Sequence, residues 1–281
     1  MHVKVGCTFI YESEFPTPMI FLVRPAAYDR HRILEEVRTV TPFVSVEDYI
    51  DHFGNGAWRL MAPAGQFQLQ YDALIDVSGE PDLVLADIPQ TPVEQMPYDV
   101  LPYTLPSRYC ESDLFSDDAW QLFGETPMGW ARVQAICDWV HSNITYGVGS
   151  TAHTSGYQAY QARRGVCRDF AHIAVSFCRA LNIPARYAYG YLPDIGVPFD
   201  PVPMDFHAWF EAYLGGAWYT FDARHNKPRI GRVIIGRGRD AVDVALTTTY
   251  GASLLTSLQV RADQVDENSP LATAQLINST Y

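Results

Sequence analysis

The chain has 281 residues, 48% of them hydrophobic, and a formal net charge of −12. That length and apolar content fill one large core or two ordinary ones, while the acidic balance excludes broad nucleic-acid binding and favours neutral or cationic substrates. Five cysteines without CxxC spacing, Cys7, Cys110, Cys137, Cys167 and Cys178, exclude a disulfide framework or a zinc ribbon, and with no apolar run resembling a signal peptide or membrane span the expected location is the cytoplasm, with no membrane partner.

Residues 1–95 read as a β-rich N-terminal domain. Strand-like runs at Gly6–Tyr11, Ile20–Val23 and Trp58–Met61 are broken by turn residues. Phe67, Leu69 and Tyr71 alternate with Gln66, Gln68 and Gln70, the pattern of a half-buried strand, and Ala73–Val77 carries it to a turn at Ser78-Gly79. Asp87–Pro106 holds prolines at 89, 92, 97, 102 and 106; proline removes a donor and biases its predecessor against helix. The linker is assigned to 96–116 and the catalytic core to 117–265.

Thr126 followed by Pro127 predicts an N-cap and first helical residue ahead of Val133, Ile136, Val140 and Ile144, with a helix running to about Asn143. Ser155 is expected to cap a shorter helix through Gln161, and Gly165 to supply its flexible end. Phe170, Ile173, Ala174, Phe177 and Leu181 then recur at helical spacing until Asn182-Ile183-Pro184 stops them, which puts Cys167 in a first helical turn. Beyond it the period becomes two. Tyr187, Tyr189 and Tyr191 mark a strand, and Phe206–Tyr213 and Trp218–Phe221 flank Gly215-Gly216 as a hairpin. The run Gly231–Gly238 lacks the P-loop lysine pattern and reads as an ordinary loop. Leu254–Val260 reads as a returning strand and 266–281 as a polar C-terminal tail.

Cysteine attacks as its thiolate, which the positive end of a helix and a neighbouring imidazolium both favour. Cys167 has the helix start. His207 opens the hairpin's first strand and Asp222 ends its second, and parity puts both on one face: they are directly opposite if the turn centres on Leu214-Gly215, and diagonal, with Asp222 opposing Trp209, if it centres on Gly215-Gly216. A carboxylate beside an imidazole fixes its tautomer and stabilises the imidazolium, so the expected nucleophile, base and orienter are Cys167, His207 and Asp222. The other cysteines lie in apolar patterns or lack a base partner.

The stretch Gly165-Val166-Cys167-Arg168-Asp169-Phe170-Ala171-His172, then Asn182-Ile183-Pro184-Ala185-Arg186-Tyr187, Gly190-Tyr191, His207-Ala208-Trp209 and Phe221-Asp222 resembles the core of the transglutaminase-like superfamily. The likeness covers about residues 117–240, and the whole is similar to a bacterial branch with an N-terminal β domain. It implies an α+β fold, with a papain-like core of helices packed on an antiparallel sheet, and the Cys-His-Asp triad at the three positions already reached. Arg168 stands where the animal crosslinking enzymes carry tryptophan, which argues against protein crosslinking. No acidic run has the alternating spacing of a calcium loop, so no metal or cofactor is expected.

The backbone N–H of Cys167 is a natural oxyanion donor, and family analogy adds Tyr146. Asp169 is expected to accept amides at the helix start or to pair with Arg168 or Arg186. His172 should point away from Cys167, His153 lies in a loop, and His225 is the main rival to His207. The tyrosine stripe could line a groove but reads first as a packed face. The expected function is acyl transfer on peptide or amide bonds through a thioester, ending in hydrolysis as a cysteine protease or amidase. The alternatives are a transglutaminase-type acyltransferase with an amine acceptor and a non-catalytic peptide-binding module.

Overall fold

A computed structural model describes residues 1–26, 31–147, 149–198 and 200–266. Strands β1 (His2–Ser13), β2 (Thr17–Phe21), β3 (His31–Thr41), β4 (Val46–Ile50), β5 (Gly56–Ala62) and β6 (Gly65–Val77) come first. Alternation decides which side of them is buried: Val3, Val5, Cys7, Phe9 and Tyr11 of β1 face inward, as do Phe67, Leu69, Tyr71, Ala73 and Ile75 of β6. These side chains meet Met19 and Phe21 of β2 and Trp58 and Leu60 of β5 in one apolar cluster. Each large side chain so buried contributes about 1.5–3 kcal/mol of transfer free energy.

The helical part contains α1 (Ser116–Phe123), α2 (Trp130–Asn143), the short β7 (Thr145–Tyr146), α3 (Gly156–Ala162), β8 (Arg164–Gly165) and α4 (Cys167–Ala180). Helix α4 touches α1, α2, α3 and the sheet that follows, and is buried over nearly its whole length from Asp169 to Arg179, as a helix at the centre of a domain must be. Strands β9 (Ala185–Tyr191), β10 (His207–Leu214), β11 (Ala217–Phe221) and β12 (Val233–Gly238) form an antiparallel sheet in the order β11-β10-β9-β12. Phe210, Ala212, Leu214 and Phe221 pack with Phe170, Ala174 and Phe177 of α4. No helix among the described residues is long and apolar enough to cross a membrane.

Several expectations need correction. Helix α2 starts three residues late, because Gly129 (φ +99°) turns the chain so that Trp130 N–H donates to Ile88 O. The left-handed residue ending α3 is Arg163 (φ +55°), not Gly165; Gly165 is needed for space, since a Cβ there would lie 2.6 Å from that of Asp169. The predicted loop over 231–238 is largely strand β12, in which Val233, Ile234 and Ile235 are buried. Its glycines answer to crowding: a Cβ on Gly238 would lie 2.6 Å from that of Asp243.

The chain then returns to its beginning. β13 (Thr247–Thr249) and β14 (Ser253–Val265) complete the orders β13-β2-β5-β4 and β14-β1-β6-β3, so the last strands of the segment read as 117–265 hydrogen-bond to the N-terminal ones. The proline-rich segment is packed down, with Val100 and Cys110 buried and Arg179 donating to Leu105 O and Ser107 Oγ. Beyond residue 266, the tail assigned to 266–281 lies outside the described residues.

Candidate active site

Cys167 is the first residue of α4. Asp169 closes that helix start, its Oδ2 accepting Val166 N–H at 2.8 Å and its Oδ1 pairing with Arg168 at 2.9 Å, the supporting role expected of it. The Cys167 amide belongs to the helix's first turn, whose N–H groups have no intrahelical acceptor. The other four cysteines are buried and all five are unpaired. Burial pushes the thiols of Cys7 and Cys110 up to about 12, which leaves them inert.

His207 begins β10, opposite Gly190 of β9. A Cβ on Gly190 would stand 2.0 Å from Val233 O, so only glycine lets β9 and β12 close up here. In the hairpin Leu214 faces Ala217 and Phe210 faces Phe221, the register with the turn at Gly215-Gly216. Asp222 therefore follows the ladder on the diagonal from His207. His207 Nε2–H donates to Asp222 Oδ2 at 2.8 Å.

Asp222 is buried and held from four sides. Its Oδ1 accepts the amides of Arg224 and His225 at 3.1 and 3.0 Å, and its Oδ2 also accepts Arg232 Nη2 at 2.8 Å. Burial opposes its charge, but His207 and Arg232 prevail and hold the carboxyl well below the usual range. Burial likewise opposes a charged His207, yet the Asp222 charge and hydrogen bond, with a hydrogen bond to Cys167, raise it to about 9. That upward shift favours the protonated imidazole, which is bonded to the carboxylate and shares a cavity wall with Cys167. Cys167 Sγ also lies 3.9 Å from Phe206 O.

His225, the rival base, has its ring centroid 4.7 Å from that of His207. Burial takes it down to about 3, so it is neutral, and no bond joins it to Cys167 among the described residues. One atom each of His207, Asp222 and His225 lie within 4.8 Å of one another, but a cation there would compete with the Arg232 bond to Asp222. Tyr146 is half exposed beside Cys167, with the Arg224 guanidinium 3.7 Å from its ring centroid. Burial first, then the Cys167 charge, raises its hydroxyl. Cys167, His207, His225, Tyr146, Arg224 and Asp205 line one cavity of about 520 Å³.

His172 is buried and away from this cavity, its Nε2 accepting Ala241 N–H; His153 is exposed. Tyr189 and Tyr191 donate to Leu22 O and Val23 O, so the tyrosine stripe is a packed face. Sequence reasoning missed Arg232. Its Nε–H donates to Asp82 Oδ2 at 2.8 Å and its guanidinium lies 4.9 Å from the Trp209 ring. The apolar run Val233-Ile234-Ile235 next to it was the available signal.

The transglutaminase-like superfamily model matches residues 121–223. The chain is 35% identical to a solved Cytophaga hutchinsonii protein named for a proposed cysteine protease activity, covering 96% of this chain and 93% of that one with a TM-score of 0.86. An uncharacterized Mycobacterium leprae protein is 38% identical over 133 residues, 46% of this chain and 47% of that protein. An uncharacterized Mycobacterium tuberculosis protein is 32% identical over 120 residues, 37% of each. The matched part is thus less than half the length of these mycobacterial relatives. Fold, motif order and the full-length match agree: the chain belongs to the transglutaminase-like superfamily, with its papain-like packing of a helix on an antiparallel sheet.

Proposed function

We propose that the chain is a cysteine-nucleophile enzyme that hydrolyses peptide or amide bonds through a thioester. The carrying observation is His207, whose Nε2–H bonds Asp222 Oδ2 at 2.8 Å on the wall of the cavity that Cys167 also lines. An imidazole beside the sulfur can take the thiol proton as attack begins, and the start of α4 faces the developing negative charge. In the proposed cycle a bond forms between Sγ and the carbonyl carbon, and the oxyanion gathers at the Cys167 amide and the Tyr146 hydroxyl. His207 gives its proton to the leaving nitrogen as the C–N bond breaks. Water, deprotonated by His207, then attacks the thioester and restores the thiol pair. The five unpaired thiols suit a reducing compartment, and we place the protein in the cytoplasm.

The test is to incubate the protein with a peptide library and read products by mass, with and without an added amine. Hydrolytic fragments that disappear in Cys167→Ala, while its circular dichroism and unfolding midpoint stay close to wild type, support the reading. Amine adducts in place of acids would make it a transferase. Full turnover in Cys167→Ala ends the proposal.

A further inference from the structure

Resting on that reading, we infer that Asp205 gives the Cys167 cavity a subsite for a cationic group, so that its substrates carry an amine or guanidinium near the scissile bond. Asp205 precedes Phe206, whose carbonyl is 3.9 Å from the sulfur, and it lines the same cavity. Its Oδ1 accepts only the adjacent Phe206 N–H, at 2.7 Å, and no arginine, lysine or histidine pairs with it among the described residues. The cations around it are already engaged. Arg229 pairs with Asp194 and Arg261 with Asp72, while Arg224 lies over the Tyr146 ring. Of the other carboxylates on this cavity, Asp263 faces Lys4 across the β1–β14 ladder and Asp200 accepts Val202 N–H. Asp205 and Asp200 both lack a cation among the described residues, and Asp205 is the one joined to Phe206, whose carbonyl approaches the sulfur, in a chain of net charge −12. Asp205 remains solvent-exposed on the cavity wall; partial desolvation raises its carboxyl, a penalty that a bound cation would offset.

Alkylation reads this preference without a known substrate. The Cys167 thiolate forms an S–C bond to the reagent's CH2 while the halide leaves with the bonding pair, and the other thiols are buried. Rates are taken for the full chain with 2-bromoethylammonium, iodoacetamide and iodoacetate. The His207 imidazolium repels the cationic reagent in every variant, so the informative quantity is each variant's cationic-to-neutral rate ratio relative to wild type. Asp205→Asn should lower that ratio about three- to tenfold, the effect of one partly solvated charge in the same cavity, and raise the relative rate of iodoacetate. Asp205→Glu should keep the ratio within about twofold of wild type, and added salt should narrow the difference between wild type and Asp205→Asn. An unchanged ratio in Asp205→Asn overturns the inference, as does the same loss in Asp200→Asn with none in Asp205→Asn. In either case a Cys167 that outpaces 2-mercaptoethanol toward iodoacetamide leaves the nucleophile standing. A Cys167 slower than that free thiol toward every reagent removes both readings.

Discussion

Arg232 Nη2 donates to the same Asp222 oxygen that receives His207 Nε2–H, each at 2.8 Å. The carboxylate is shared between two cations, and the arginine also bonds Asp82. Asp222 is thereby kept ionised and in place, while the nearby positive charge restrains the rise of His207.

Replacing that arginine should separate the two effects. Arg232→Gln leaves Asp82 and Asp222 without their buried partner and should cost about 3 kcal/mol or more of stability, read from the denaturant midpoint. His207 should then titrate above its wild-type value of about 9, because a neighbouring cation that opposed the imidazolium is gone. Carbon-13 labelled histidine, followed by NMR against pH, gives the value. A downward shift would contradict this picture of Asp222.

Base and bystander can be told apart by their variants. Asp222→Asn should largely keep the fold but lower turnover about 10²- to 10⁴-fold by favouring the wrong imidazole tautomer. His207→Gln should lose at least as much, whereas His225→Gln should stay within about tenfold of wild type, since it removes a neutral neighbour. Turnover of any cleaved peptide from the library serves as the readout. If His225→Gln is the more damaging variant, the base has been misassigned.

The legible part of the site was the part set by local rules. Cys167 followed from a helix start, and His207 with Asp222 from the parity of one hairpin, where a turn of known length leaves few registers. Arg232 was hidden because three glycines among residues 231–238 look like a loop, and only the approach of Asp243 to Gly238 and the strand pairing of Gly236 explain the last two. The pairing of β14 with β1 was hidden for another reason. Strands hundreds of residues apart choose partners by the shape of the whole core, to which the local alternation at Leu254–Val260 is blind. Helix α2 fell between: its apolar face was plain, but its first residue depends on Ile88 accepting from Trp130.

Gly190 links the sheet to the site. An alanine Cβ would sit 2.0 Å from Val233 O and 3.0 Å from Ile234 Cα, both backbone atoms that no rotamer change can move. Gly190→Ala should push β12 away from β9, cost about 1–3 kcal/mol or more, and carry Arg232 away from Asp222. The midpoint of unfolding should fall together with turnover. A variant with wild-type stability and activity would mean that β12 is free to shift.

Acid should loosen this protein before its carboxylates titrate, and His172 is the reason. Its ring is packed between Tyr109 and Tyr187, Nε2 accepts Ala241 N–H at 3.2 Å, and buried Nδ1 has no hydrogen-bond partner among the described residues. Burial, reinforced by the charge of Arg168 and that of Arg179, takes it down to about 3, against about 6.5 when unfolded. The folded state therefore prefers the neutral ring. Its contribution is fully present above about pH 6.5 and is lost as pH falls from there toward 3, because the unfolded chain binds the proton first. The slope is at most about 1.4 kcal/mol per pH unit for each such histidine, and His225, also lowered to about 3, adds to it. Urea unfolding between pH 7 and 4.5 should show falling stability. In His172→Gln, whose amide oxygen can still accept from Ala241, the slope should drop by about half, with His225 supplying the remainder. A flat wild-type profile across that interval would mean that His172 is protonated within the fold.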